Sequence, residues 1–265
     1  MIGYGNSMFL ATHGILAKSA SGAAVDPDAQ AFVTAANITD QVEANAINNL
    51  VIGMKADGIW TKMKAIYPIV GGVASSHAVN LKTPGTFNLT FSSGWTHSAT
   101  GMTPLNAYAD GNFSVNQMTA SNASFGIYSR TNSTSPTQII GAFDVANLSR
   151  CWINLSNGNI QIADTGQIAY TANPSTGFFM SRRDATNFNQ SYRNGVSLGS
   201  VTNNFTTFNR NFYLGAANDD GTLNYFSNHQ LAFAFLGGNS ALTNTDATNL
   251  YNRVQAYQTT LSRQV

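Results

Sequence analysis

The segment from Gly177 to Leu261 most constrains what this chain can fold into. It reads as a run of strands that closes with a helix. Phe178-Phe179-Met180 is an apolar strand, and Ser191 to Leu198 is two short strands about Asn194-Gly195. Phe212-Tyr213-Leu214-Gly215 is another strand, and Leu231 to Gly237 is the most apolar strand of the chain. A two-residue hairpin loop needs positive φ at both positions, which Asn-Gly tolerates best. From Thr243 the period changes. Ala247, Leu250, Tyr251, Val254, Tyr257 and Leu261 recur at steps of three and four, one apolar stripe of a helix. Gln255, Gln258, Thr259 and Arg263 fall largely on its other side. Thr243 caps this helix, with Asp246 as its acidic partner. The order of elements predicts a β-sandwich with a helix laid across it.

Composition agrees with that reading. Only 9% of residues are charged, against roughly 25% in ordinary soluble domains. Asn, Ser, Thr and Gly make up the difference, and they suit strands and turns. The net charge is +1 with no basic block, so binding of nucleic acid through phosphate neutralisation is not expected. All five Lys lie at or before Lys82 and all eight Arg at or after Arg130. No stretch approaches the roughly 20 apolar residues of a membrane span, so no membrane partner is expected. The start lacks the basic region of a secretory leader. Cys151 is the single cysteine, which excludes an internal disulfide. It sits in a strand from Arg150 to Leu155 as an expected buried thiol, with Trp152 beside it expected in the core.

Residues 1–25 read as an extended arm or loop-rich start, either one that lies on a neighbouring subunit or platform protein or a poorly ordered terminus. Asp26 caps a helix with Pro27 at its first position. A second helix starts at Thr39, with Val42, Ala46, Ile47, Leu50, Val51 and Met54 on one side and Gly58 at its end. A further turn spans Ile59 to Met63. Strands follow at Ala65 to Gly72, Phe87 to Phe91, Gly94 to His97, Tyr108 to Val115, Ser124 to Ser129, Gln138 to Phe143, Cys151 to Leu155 and Ile160 to Ile162. Their spacing of roughly 8–15 residues is that of a sandwich or barrel. The expected division is an arm and helical attachment segment over 1–64 and a β-sandwich domain over 65–265.

Candidate chemistry is sparse. A glycosidase needs two carboxylates flanking the scissile bond. Glu43 is the single glutamate, so only an aspartate pair is conceivable, among Asp110, Asp144, Asp164, Asp184, Asp219, Asp220 and Asp246. No motif sets two of them on one strand face. His13, His77, His97 and His229 lack metal-ligand spacing, and His77 and His97 read as hydrogen-bonded histidines in turns. Asn218-Asp219-Asp220-Gly221 clusters oxygen ligands of the kind that suit Ca²⁺, or forms an exposed Asp-Gly turn. Trp95, Tyr108, Tyr128, Trp152 and Tyr192 are the candidate faces for stacking a sugar, although most aromatics of a sandwich belong to its core. No catalytic, cofactor-binding or metal-binding residue is assigned, and no cofactor is expected.

Several stretches resemble the laminin-G-like and concanavalin A-like jelly rolls: Tyr192 to Val196, Phe212 to Ala216, and Phe233 to Gly237 followed by Leu242-Thr243 and Ala247 to Tyr251. This likeness covers residues 65–265 and implies a mainly-β jelly-roll sandwich with a C-terminal helix. Ala65 to Gly72 with Ser75-Ser76-His77, Gly94 to Ser98, and the tail Val254 to Arg263 resemble virion proteins of tailed bacteriophages, including the crAss-like phages. That resemblance implies a structural component of the virion, a head or tail appendage, fibre or decoration protein made in the host cytoplasm. It implies other virion proteins as partners, a homo-oligomer such as a trimer, and no enzymatic activity. The alternative is a carbohydrate-binding module of a phage fibre that recognises a host surface glycan. A glycan hydrolase is the third reading.

Overall fold

The structure, a computed structural model, describes residues 24–133, 138–155, 158–164, 166–171, 174–185 and 187–265. His13 and nearly all of the expected arm lie outside the described residues. Two helices come first, α1 (Pro27–Ala35) and α2 (Gln41–Ala56). The side chain of Asp26 accepts from the Asp28 N–H to cap α1, as expected. Helix α2 starts at Gln41 rather than Thr39, because Asp40 caps it and its carboxylate accepts from the Glu43 N–H. Val42, expected on the packed side, is 53% exposed.

Strands β1 (Met63–Tyr67), the short helix α3 (Ala74–His77), β2 (Thr90–Phe91), β3 (Trp95–Ser98), β4 (Gly101–Pro104) and β5 (Ala109–Ser114) follow. Next come β6 (Ser124–Ser129), β7 (Gln138–Asp144), β8 (Ser149–Asn154), β9 (Asn159–Ala163) and β10 (Ile168–Ala169). The chain then runs through β11 (Gly177–Arg183), β12 (Phe188–Arg193), β13 (Val196–Thr202), β14 (Asn211–Leu214), β15 (Ala217–Asp219), β16 (Thr222–Asn224) and β17 (Leu231–Gly237). Helix α4 (Asn244–Thr260) closes it. Two expected strands are shorter than read. Pro68 has no N–H to donate, and Ile69, Gly71 and Gly72 all take positive φ, so the strand from Ala65 stops at Tyr67. Phe87 also takes positive φ and stands outside the ladder. His77, expected in a turn, ends α3 instead.

Among the described residues the strands form two sheets, one in the order β13-β12-β11-β6-β17-β4-β3 with β1 beside β17, the other β10-β9-β8-β7-β14-β5-β2 with the β15–β16 hairpin beside β7. Every pairing is antiparallel except β15 with β7. The molecule is a mainly-β sandwich in three layers. Helices α1, α2 and α4 cover the first sheet, the middle layer, and the second sheet is the outer layer. Residues of β1, β6, β11, β12 and β17 share one apolar cluster with the helices, while the alternate residues of the middle sheet share a second cluster with the outer sheet.

The centre of the middle sheet is therefore covered on both faces, with β6, β11 and β17 buried along their whole lengths, while its edge strand β13 is largely exposed. Parallel sheets read this way for the same reason, since neither face meets water. The outer sheet alternates. β14 runs half-buried, buried, half-buried, buried, and β8 does nearly the same. The Asn194-Gly195 hairpin forms as expected, with φ of 50° and 75°. Helix α4 takes its expected cap, Thr243 and Asp246 exchanging hydrogen bonds. Its polar side is a surprise: Gln258 and Arg263 are fully buried.

Candidate functional site

Strand pairing carries one row of residues across the far face of the outer sheet, the face turned away from the core. Gln161 pairs with Trp152, Trp152 with Gly141, Gly141 with Tyr213, Tyr213 with Asp110, and Asp110 with Thr90. Their neighbours in each strand, such as Cys151, Ile153, Ala142, Phe212 and Leu214, point into the core. In a strand consecutive side chains take opposite faces, so Arg150 and Phe143 join the same far face.

Two aromatic groups stand on it. The rings of Tyr108 and Tyr213 stack with centroids 4.5 Å apart and planes 26° apart. Phe143 and Trp152 lie 6.2 Å apart, and the Arg150 guanidinium sits 4.4 Å from the first ring and 4.9 Å from the second. Trp152 and Tyr213 are separated by Gly141 and hence by roughly 10 Å, two strand spacings. Polar groups flank the tyrosines. Asp110 accepts from the Asn211 side chain at 3.0 and 3.2 Å and from the Asn112 N–H at 2.7 Å. The Asn112 side chain donates to Asn88 O and Thr90 Oγ1. Burial, with the Asp110 carboxylate next, raises the Tyr213 phenol above its ordinary value, so it stays a neutral donor at physiological pH.

The five aromatic candidates separate by position. Tyr108 and Trp152 reach the far face, and Trp152 is half-buried there rather than in the core. The expectation failed because alternation places Trp152 opposite its neighbour Cys151, which is fully buried. Tyr128 and Tyr192 lie under α4 in the helix-covered cluster. Trp95 packs against Gly215, where a Cβ would come within 2.8 Å of its ring, and donates its indole N–H to Tyr108 O. Arg150, Phe143 and Tyr213 of the far face were not among the candidates. Arg150 and Tyr213 were legible, since Arg150-Cys151-Trp152-Ile153 and Phe212-Tyr213-Leu214 alternate.

The remaining candidates are occupied by structural roles. Arg210 grips Asp220 through Nε and Nη2, Asn224 donates to Asp219, and Asn218 closes the turn to the Gly221 N–H. Among the described residues no three His, Cys, Asp or Glu side chains gather where a metal ion would sit. Asp164 holds Thr206, and Asp246 holds Lys62 and the α4 cap. His77 and His97 meet through their Nδ1 atoms at 2.9 Å. Burial, with His97 and Arg263 adding to it, lowers His77 to about 3. A surface concavity beside the start of α4 is lined by Arg182, Asp184 and Asn244. Its arginine is committed, donating to Tyr192, Gln190 and Asn244 and pairing with Asp184.

No family model matches the chain, and no curated protein sequence does. Solved structures do match it at low identity. Trypanosoma rangeli sialidase covers 78% of this chain with 38% of its own length, at 9% identity and a TM-score of 0.48. The binding domain of botulinum neurotoxin serotype D covers 76% with 52% of its own, at 12% identity and a TM-score of 0.48. The Ruminococcus gnavus IT-sialidase CBM40, solved with α2,3-sialyllactose bound, covers 52% with 85% of its own, at 14% identity and a TM-score of 0.40. The structures similar to this chain thus include carbohydrate-binding domains. They also include sialidases, a finding that stands against the expectation that the chain is not an enzyme, and at these identities the likeness is one of fold. This chain spans 39% of the length of a T. rangeli sialidase mutant with trans-sialidase activity that matches it.

Proposed function

We propose that this chain is a carbohydrate-binding module whose site is the far face of the outer sheet. The observation that carries the reading is the single row of aromatic and polar side chains across that face, with Trp152 and Tyr213 two strands apart and Asp110 and Asn211 beside the tyrosine stack. Sugar rings offer C–H faces to aromatic rings and hydroxyls to planar polar groups, and the face presents both. Among the described residues the helices cover the corresponding face of β6, β11 and β17 in the other sheet. The purified chain should bind members of an array of cell-surface glycans, and Tyr213→Ala and Trp152→Ala should each weaken that binding at least tenfold while the fold survives. A chain that binds no glycan on the array sinks the proposal.

The resemblance to phage virion proteins supports a setting for this module: a fibre or appendage of a tailed-phage particle, assembled as a homo-oligomer. Antibody raised to residues 177–265 should label purified particles at regular positions. Intact particles that carry no label, from cells that make the protein, would remove that setting and leave the binding reading to stand by itself.

A further inference from the structure

The eight arginines of this chain are not used alike. Arg130, Arg182, Arg183, Arg193, Arg210, Arg253 and Arg263 each donate to a carbonyl, an amide oxygen, a hydroxyl or a carboxylate of the protein. Among the described residues Arg150 alone gives its guanidinium no such partner. It lies over two rings instead, 4.4 Å from Phe143 and 4.9 Å from Trp152. Its Nε is buried and unpartnered, and so is the adjacent Trp152 Nε1. Buried donors normally find an acceptor, and each exception calls for an explanation.

The surroundings do not supply that acceptor. Among the described residues the carboxylates nearest in the strand order, Asp144, Asp164 and Asp219, are engaged with Asn147, Thr206 and Asn224. The two rings flank the guanidinium, and its planar fork is pre-organised, so less entropy is lost for each hydrogen bond it forms. Among the described residues no carboxylate forms an ion pair with it, it is half-buried, and it faces the same side of the sheet as Tyr213.

Resting on the carbohydrate-binding reading above, we infer that Arg150 recognises a carboxylate, so that the ligand of this face is an acidic glycan carrying a hexuronic or similar sugar acid. The carboxylate docks on the Arg150 fork beside Trp152, and the adjoining residues of the chain run toward the Tyr108–Tyr213 stack. Phe143 and Trp152 act as positioning residues for the guanidinium as well as walls of the site.

The test is an array of acidic oligosaccharides printed beside their carboxyl-reduced counterparts, probed with the whole chain. Wild type should favour the acid form, and rising salt should weaken that preference. Arg150→Gln should lose about 10- to 100-fold in affinity for the acid form, the range expected for one charge-assisted contact, and little for the reduced form. Arg150→Lys, which keeps the charge without the fork, should recover only part of the loss. Thermal melts of both variants report that the fold is retained. Equal binding of acid and reduced forms, or an Arg150→Gln chain that binds the acid form as wild type does, overturns this inference and leaves the carbohydrate-binding reading standing. Binding to neither form overturns both.

Discussion

The two sheets of this protein share one core and differ in what lies on their other sides. The middle sheet turns Phe178, Phe233 and Phe235 toward the helices, and α4 lays Leu250, Val254 and Tyr257 onto them. The outer sheet turns Arg150, Trp152, Phe143 and Tyr213 away from the core, and among the described residues no helix shares their cluster. Burial on both faces makes a strand read as an unbroken apolar run, as Leu231 to Gly237 does. Burial on one face leaves every second position available for recognition, as in Arg150-Cys151-Trp152-Ile153. The covered sheet spends both faces of its central strands on packing, while the outer sheet leaves one face free for the binding proposed above.

The sharpest way to break that comparison is at Phe233, fully buried between the middle sheet and α4. Phe233→Ala should cost about 3–5 kcal/mol in urea unfolding, the usual range for emptying a core aromatic site. Arg263→Ala follows closely. This buried guanidinium donates to Ile69 O, Pro68 O and Ala232 O and to the Gln258 side chain, so its loss strands several carbonyls at once. About 3 kcal/mol should disappear from the same measurement.

Acid should act on the covered side as well. Burial lowers His77, His97 and His229, so each stays neutral in the fold at a pH where the unfolded chain binds a proton. Their contribution is fully present above about pH 6.5, the ordinary histidine value, and is lost as pH falls below it. For His77, lowered to about 3, the loss runs from pH 6.5 toward 3 at about 1.4 kcal/mol per pH unit. His77→Asn, which cannot take up that proton, should flatten the decline of melting temperature between pH 6.5 and 5. An unchanged slope would show that His77 does not carry it.

Smaller effects sharpen the contrast. Thr243→Ala removes the reciprocal cap of α4 and should cost about 1 kcal/mol by denaturant titration. Tyr213→Ala on the far face should cost less than about 1.5 kcal/mol of stability, since the side chain is half-buried. Its loss should instead be read in glycan affinity. A far-face variant that unfolds the protein, or a Phe233→Ala chain as stable as wild type, would dissolve the distinction between the sheets.

Much of this was legible in local patterns. The Asn194-Gly195 hairpin, the Asp26 and Thr243 caps, the apolar stripe of α4 and the buried thiol of Cys151 each depend on a few neighbouring residues, and each is found where it was expected. The far face was half legible. Tyr108 and Trp152 were candidates, but Trp152 was assigned to the core although its alternation with Cys151 places it opposite. Tyr128 and Tyr192 looked equivalent to them and are sealed beneath α4.

The sequence by itself determined which segments become strands and helices, because periodicity, turn residues and caps act over a few residues. Only the tertiary structure decided which faces remain uncovered, because the covering residues lie far along the chain. Tyr257 donates to Pro68 O, Lys62 pairs with Asp246, and Arg263 reaches Ile69 O. Those contacts seat α4 on the middle sheet, Arg253 ties it to Asp57 at the end of α2, and together they bury Gln258 and Arg263, which the helical period had placed on the polar side. An exposed position is defined by what does not pack on it, and that is settled only when distant segments have met.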